Sequence, residues 1–119
     1  MAITGVHGIL YTSEPEALRA ICRDVFGWTF VDAGDGWLIF ALPPAELGIH
    51  PSEGSAFGEG GGHQLSLMCD DITETIAELR GKGLEVGEPQ SAGFGVIAMI
   101  TMPGGLEMML YQPRHETAI

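Results

Sequence analysis

Positive charge is what this 119-residue chain has least of: five Lys and Arg stand against sixteen Asp and Glu, a formal net charge of -11. Such an excess repels the phosphate backbone that a nucleic-acid binder must neutralise, so nucleic acid is not expected as a partner. Anionic membrane surfaces are disfavoured for the same reason. Long apolar runs are missing too. The longest, residues 37–42 and 96–102, are strand-sized, so no membrane span is expected. The opening MAITGVHGILYT lacks the basic and apolar regions of a secretory signal, which makes a soluble, cytoplasmic protein the expectation. Cysteine is limited to Cys22 and Cys69, with no CxxC spacing, so neither a disulfide framework nor a structural zinc site is suggested. Nucleophilic catalysis lacks a GxSxG elbow. The run GEGGG at 58–62 has neither dinucleotide nor P-loop spacing and precedes a strand rather than a helix.

What remains is an ordinary globular composition, 45% hydrophobic and 18% charged, in a length that fits one domain with one core. Residues 6–12 are apolar and β-prone and stop at Ser13-Glu14-Pro15-Glu16, where Ser and Glu three apart predict a capping box. Leu18, Ile21, Cys22, Val25 and Phe26 then fall at helical spacing. Gly27 follows as a left-handed terminator, which predicts a helix over 14–26. Three strands are expected next, at 28–33, 37–42 and 45–50, separated by the turn signals Gly34-Asp35-Gly36 and Pro43-Pro44. The stretch 52–62, with five glycines, reads as a flexible connection.

Beyond it the order repeats. A strand at 63–69 leads into a second capping box, Asp71-Ile72-Thr73-Glu74. A helix through Ile76 and Leu79 ends at Gly81 and Gly83, and strands follow at 84–86, 96–102 and 106–111. Gln64 lies 57 residues after His7 and Asp71 lies 58 after Ser13, so the halves match in register to within one residue. The reading is a single α+β domain of two βαβββ modules, at about 5–51 and 63–113, joined by 52–62. Each module has one helix and a sheet whose second face is bare, so modules must pair, within one chain or across two. A homodimer is the expected assembly.

Three segments, HGILYTSEPEALRAICRDVFGW, GHQLSLMCDDITETIAELRGKGLEV and MPGGLEMMLYQP, resemble the vicinal-oxygen-chelate superfamily of glyoxalases, bleomycin-resistance proteins and extradiol dioxygenases. The resemblance runs from about Gly5 to Pro113 and implies the paired-module fold. It also implies a divalent metal held by residues from both modules. His7, seven residues before Glu14, fits the first metal position. Gln64 falls at the second-module position, with His63 one place off and therefore expected on the opposite strand face. Met109 stands where a final Glu would be, and Glu107 shares its face two residues earlier. The remaining position lands near Gly48, with Glu46 and His50 on the same face. An amide is a weak ligand and a thioether suits soft copper, so only His7 is carried forward as a metal ligand.

Each candidate has a plainer reading beside the functional one. His7 is a ligand, a general base or a satisfied structural residue. Gln64, on a cavity face, contacts a ligand or makes an internal bond. Glu107 is a shifted ligand, an acid/base group or a solvated carboxylate, and His50 is a strand-end surface residue or a site residue. The methionines at 68, 99, 102, 108 and 109 fill the core or make a pliable apolar pocket. Trp28, Trp37 and Tyr111 pack or wall a site, and Phe57, alone in the glycine-rich connection, could act as a lid. Together His7, Tyr11, His50, Phe57, Gln64, Glu107, Met109 and Tyr111 are the expected ligand-binding set. The leading reading is sequestration of a small, partly apolar molecule with no cofactor. The alternative is a metal-dependent lyase, isomerase or dioxygenase needing a divalent metal, and a third reading is an interaction domain that uses only its dimer surface.

Overall fold

The computed structural model describes residues 7–49 and 63–119. The second half holds the larger sheet. After a parallel edge strand β3 (Ser66–Met68) the chain turns into a helix, α2 (Ile72–Gly81), then lays down β4 (Glu85–Val86), β5 (Gln90–Ala92), β6 (Gly95–Thr101) and β7 (Glu107–Pro113). The order across the sheet is β3-β7-β6-β4, with β5 paired to β6. Pairing is parallel between β3 and β7 and antiparallel elsewhere. This is the βαβββ order with one addition, since the hairpin strand β5 had no periodic apolar signal.

Alternation along β6 and β7 sorts the sheet into two faces. Ala98 and Ile100 pair with Leu110 and Met108 and point to the helices, where Ile72, Ile76, Leu79 and Val86 complete a buried cluster. Met99 and Met109 pair on the other face. Asp71 caps α2 by accepting the Glu74 amide at 3.1 Å, and the Ile72 amide donates to Gln112 Oε1 at 2.8 Å, which ties the helix to the sheet. At Gly95 a Cβ would sit 2.4 Å from the Gln112 carbonyl oxygen and 2.7 Å from Tyr111 Cε2. Only glycine lets β6 begin that close to β7.

The first half contributes a helix, α1 (Pro15–Asp24), and a hairpin of β1 (Phe30–Asp32) with β2 (Leu38–Phe40). Leu18 and Cys22 carry α1 into the same core. Its start is held by the 3-10 turn Pro103–Gly105. Thr12 Oγ1 donates to the Pro103 carbonyl at 2.6 Å, and the Gly104 amide donates to Glu14 Oε2 at 2.7 Å. Glu14 is the N-cap, with no side-chain cap bond, so the capping box expected around Ser13 does not form. The carboxylate beside it is engaged by the turn instead.

Two expected strands are corrected. Residues 7–12 and 45–49 carry no strand ladder. In the second half the corresponding first and last strands pair with each other, β3 on β7. In the first half neither segment has that partner, and a lone extended segment leaves its backbone to water. Position 50, and with it His50, lies outside the described residues. So does the connection 52–62 with Phe57. Among the described residues no helix is long and apolar enough to cross a membrane.

Candidate functional site

The face of the sheet away from the helices carries the candidate site. Gln64, just before β3, Met109 on β7 and Met99 on β6 meet there. The Gln64 amide nitrogen donates to Ser66 Oγ at 3.2 Å and to Met109 Sδ at 3.6 Å. A thioether can only accept, so this contact fixes which end of the amide faces the sulfur and leaves the carbonyl free. Ser66 pairs with Met109 in the parallel ladder. Gln64 lines the same cavity as Glu107, which is exposed at the rim. A cavity of about 360 Å³ opens over this face, lined by the strand residues 106–109 and Met99, by His63, Gln64 and Leu65, and by Leu10 from the first half.

Of the eight expected binding residues, Gln64, Glu107 and Met109 are brought together here. Tyr111 shares their face but lies at the far end, edge-on to Phe94 at 5.6 Å, with its hydroxyl on His115 Nε2. Burial, with the Glu46 carboxylate adding to it, raises the Tyr111 phenol above its ordinary pKa, so it stays a neutral hydroxyl. His7 is exposed and does not line the cavity, and Tyr11 is 82% exposed; neither joins the group. His50 and Phe57 fall outside the described residues. Trp28 packs on Phe26 at 4.8 Å and Trp37 lies under the Arg19 guanidinium at 4.6 Å, so neither forms a wall of the cavity.

His63 corrects a second expectation. It reaches the cavity rim although one-residue alternation places it on the other face. The reason is that β3 begins only at Ser66, and strand alternation does not bind residues before it. Leu10 lies outside the expected binding set, and Met99 was expected only as one of the methionines that fill the core or make a pliable apolar pocket. Met99 was legible as the ladder neighbour of Met109 once their hairpin register was known; Leu10 carried no signal.

A second concavity, of about 460 Å³, lies at the opposite end of β3 and β7, lined by Met68, Cys69, Asp70, Gln112, Pro113, His115 and Thr117. Burial raises the Cys69 thiol above its usual range, against a lowering by its hydrogen bond with Thr75, and Asp70 and Asp71 add to the rise. That thiol is a poor nucleophile.

The fit to a divalent metal can be judged from the donors. At the matched positions the Gln64 amide nitrogen is turned toward the Met109 sulfur, and His7 is not part of the lining. Among the described residues no three His, Cys, Asp or Glu side chains gather so as to hold an ion. These residues do not fit the metal that the resemblance implies, and no chemical step is derived through one.

A small α+β protein with an apolar, thioether-rich cavity on one sheet face is thus defined. Comparison with solved structures places the fold. TnmS3, an antibiotic binding protein from Streptomyces sp. CB03234, matches with a TM-score of 0.66 and 25% identity over 95% of this chain and 98% of that one. Lactoylglutathione lyase from Agrobacterium tumefaciens matches with a TM-score of 0.63 and 18% identity over 93% and 95% of the two chains. A glyoxalase/bleomycin resistance protein from the same Streptomyces strain gives 0.55 and 23%, over 85% and 93%. No family model and no curated protein matches the sequence. The fold is that of the vicinal-oxygen-chelate superfamily.

Proposed function

We propose that this chain binds a small, partly apolar molecule on the open face of its larger sheet and sequesters it without metal-dependent turnover. The observation that carries the reading is the composition of that face. Met99, half-buried, and Met109, buried, are ladder partners that line the cavity with polarisable, adaptable side chains, while Gln64 and Glu107 supply a few polar anchors beside them. Sequestration needs affinity alone, and these side chains offer it. The similarity to TnmS3, an antibiotic binding protein, supports the same reading.

A second copy of the chain is proposed to complete the assembly, in the cytoplasm. Val31 and Ile39 are ladder partners on one face of the β1–β2 hairpin and are 65% and 39% exposed. Leu47 and Ile49 are 87% and 88% exposed. Apolar surface of this kind favours a partner with its own apolar face, and a homodimer provides one.

The test uses the methionine methyl groups as reporters. Titrating planar aromatic probes into protein labelled at methionine methyls should move the Met99 and Met109 resonances saturably and leave Met102, buried on the helix side, in place. If no probe moves Met99 or Met109, the binding reading fails.

A further inference from the structure

The cavity also carries information on the charge of its ligand. Of the described residues that line it, the one carboxylate is Glu107, the one amide is Gln64 and the one imidazole is His63; no Lys or Arg is among them. Both donors of the Gln64 amide are taken, by Ser66 Oγ and Met109 Sδ, so its carbonyl oxygen is what it can turn to a ligand. Glu107 likewise presents acceptors only.

Nor can a cation be borrowed from nearby. The chain has five Lys and Arg, all at described positions, and each is engaged elsewhere. Arg19 lies over the Trp37 ring and Arg23 is paired with Asp24 at 2.7 Å. Arg80 donates to the Val86 carbonyl at 2.7 Å and pairs with Glu88 at 3.0 Å, and Lys82 pairs with Glu78 at 3.5 Å. Arg114 donates to the Ala92 carbonyl at 2.9 Å. An anionic ligand would therefore lose its hydration and gain no counter-charge, in the field of a chain whose formal charge is -11.

We infer that the site selects a planar apolar molecule bearing a protonated amine, with Glu107 as its counter-charge, the Gln64 carbonyl as a second acceptor, and the Met99 and Met109 thioethers against the ring. The inference rests on the binding reading above and specifies its ligand class. Sulfur against an aromatic ring is a favourable contact that all ligands with the same ring share. Discrimination therefore falls to Glu107 and Gln64, whose acceptors suit an ammonium donor and repel a carboxylate.

The experiment compares three probes of one ring system: an acridone with a protonated aminomethyl arm, neutral acridone and an acridone carboxylate. Affinities are measured by calorimetry, with the Met99 and Met109 methyl resonances reporting location. The cation is expected to bind up to about five-fold tighter than acridone, the range of one partly exposed ionic contact, and the carboxylate more weakly than either. Glu107→Gln should erase the cation's advantage over acridone, and added salt should shrink that advantage in the wild type. Equal binding of all three probes, tighter binding of the carboxylate, or an advantage that survives Glu107→Gln would overturn the charge selection while leaving the binding reading intact. Absence of any response at Met99 and Met109 overturns both.

Discussion

The two halves of this chain share one pattern of apolar and turn residues, yet they bury very different amounts of it. Among the described residues, ten of the twelve buried apolar side chains, from Ile72 to Leu110, belong to the second half, and Leu18 and Cys22 come from the first. The second half closes its sheet by pairing its first strand with its last. In the first half the matching segments carry no ladder, and Phe30, Val31, Trp37, Ile39, Leu42, Leu47 and Ile49 all stand more than a third exposed. The lesson is that periodicity fixes which residues want to be buried, while burial itself needs a surface to meet, and one chain supplies that surface for only one half.

The sharpest way to break this contrast is to put charge on the uncovered face. Wild-type protein is expected to sediment at about twice its 12.6 kDa chain mass, and Val31→Asp with Ile39→Asp should return it to the mass of one chain. Each of these side chains would contribute about 1.5–3 kcal/mol if fully covered by a partner. In an isolated chain both positions face water, so the double substitution leaves the α2 core intact and circular dichroism should show a folded protein. Wild-type protein that sediments as a single chain would sink the dimer reading.

A smaller effect is expected where the halves join. Gly104 has φ +79, and a Cβ there would fall 2.1 Å from Thr12 Oγ1 and 2.9 Å from the Ser13 amide nitrogen. Gly105 has φ +75 with nothing within 4 Å of the same atom. Both alanine variants bear left-handed strain of about 1–3 kcal/mol, but only Gly104→Ala must also push residues 12 and 13 off the turn that anchors α1. Chemical denaturation should therefore rank Gly104→Ala clearly below Gly105→Ala in stability. Equal losses would mean that the docking of residues 12–14 on the 103–105 turn contributes nothing in solution.

The fold was legible in the sequence because its signals are local and repeated. Helical spacing from Leu18 to Phe26 and the Asp71 cap mark both helices, and the 57- and 58-residue separations mark the duplication. Glu107 and Met109 were placed on one face by strand alternation, a rule that holds within a ladder, and Gln64, before the ladder, meets that face through its contact with Met109. His63 departs from it because it precedes the ladder, and Leu10 reaches the cavity from a segment with no strand of its own. His7 stands outside the lining for a related reason: its expected strand position depended on pairing that the first half does not make. Positions fixed by contact between distant segments leave no periodic trace.

The capping boxes give the finest test of the same contrast, since the sequence reads them alike in both halves. At Asp71 the carboxylate accepts the Glu74 amide at 3.1 Å, and the Asp71 carbonyl accepts from the Thr75 hydroxyl at 2.8 Å. Removing the side chain leaves an amide donor of the first turn without its protein partner, which typically costs about 1 kcal/mol. Ser13 holds no such bond: the N-cap position is Glu14, whose side chain is turned to Gly104. Asp71→Ala is thus expected to lower the denaturation midpoint measurably, and Ser13→Ala to leave it within error. A loss at Ser13 equal to that at Asp71 would show that the first helix is capped in solution as the sequence pattern implies, with Glu14 released from the turn.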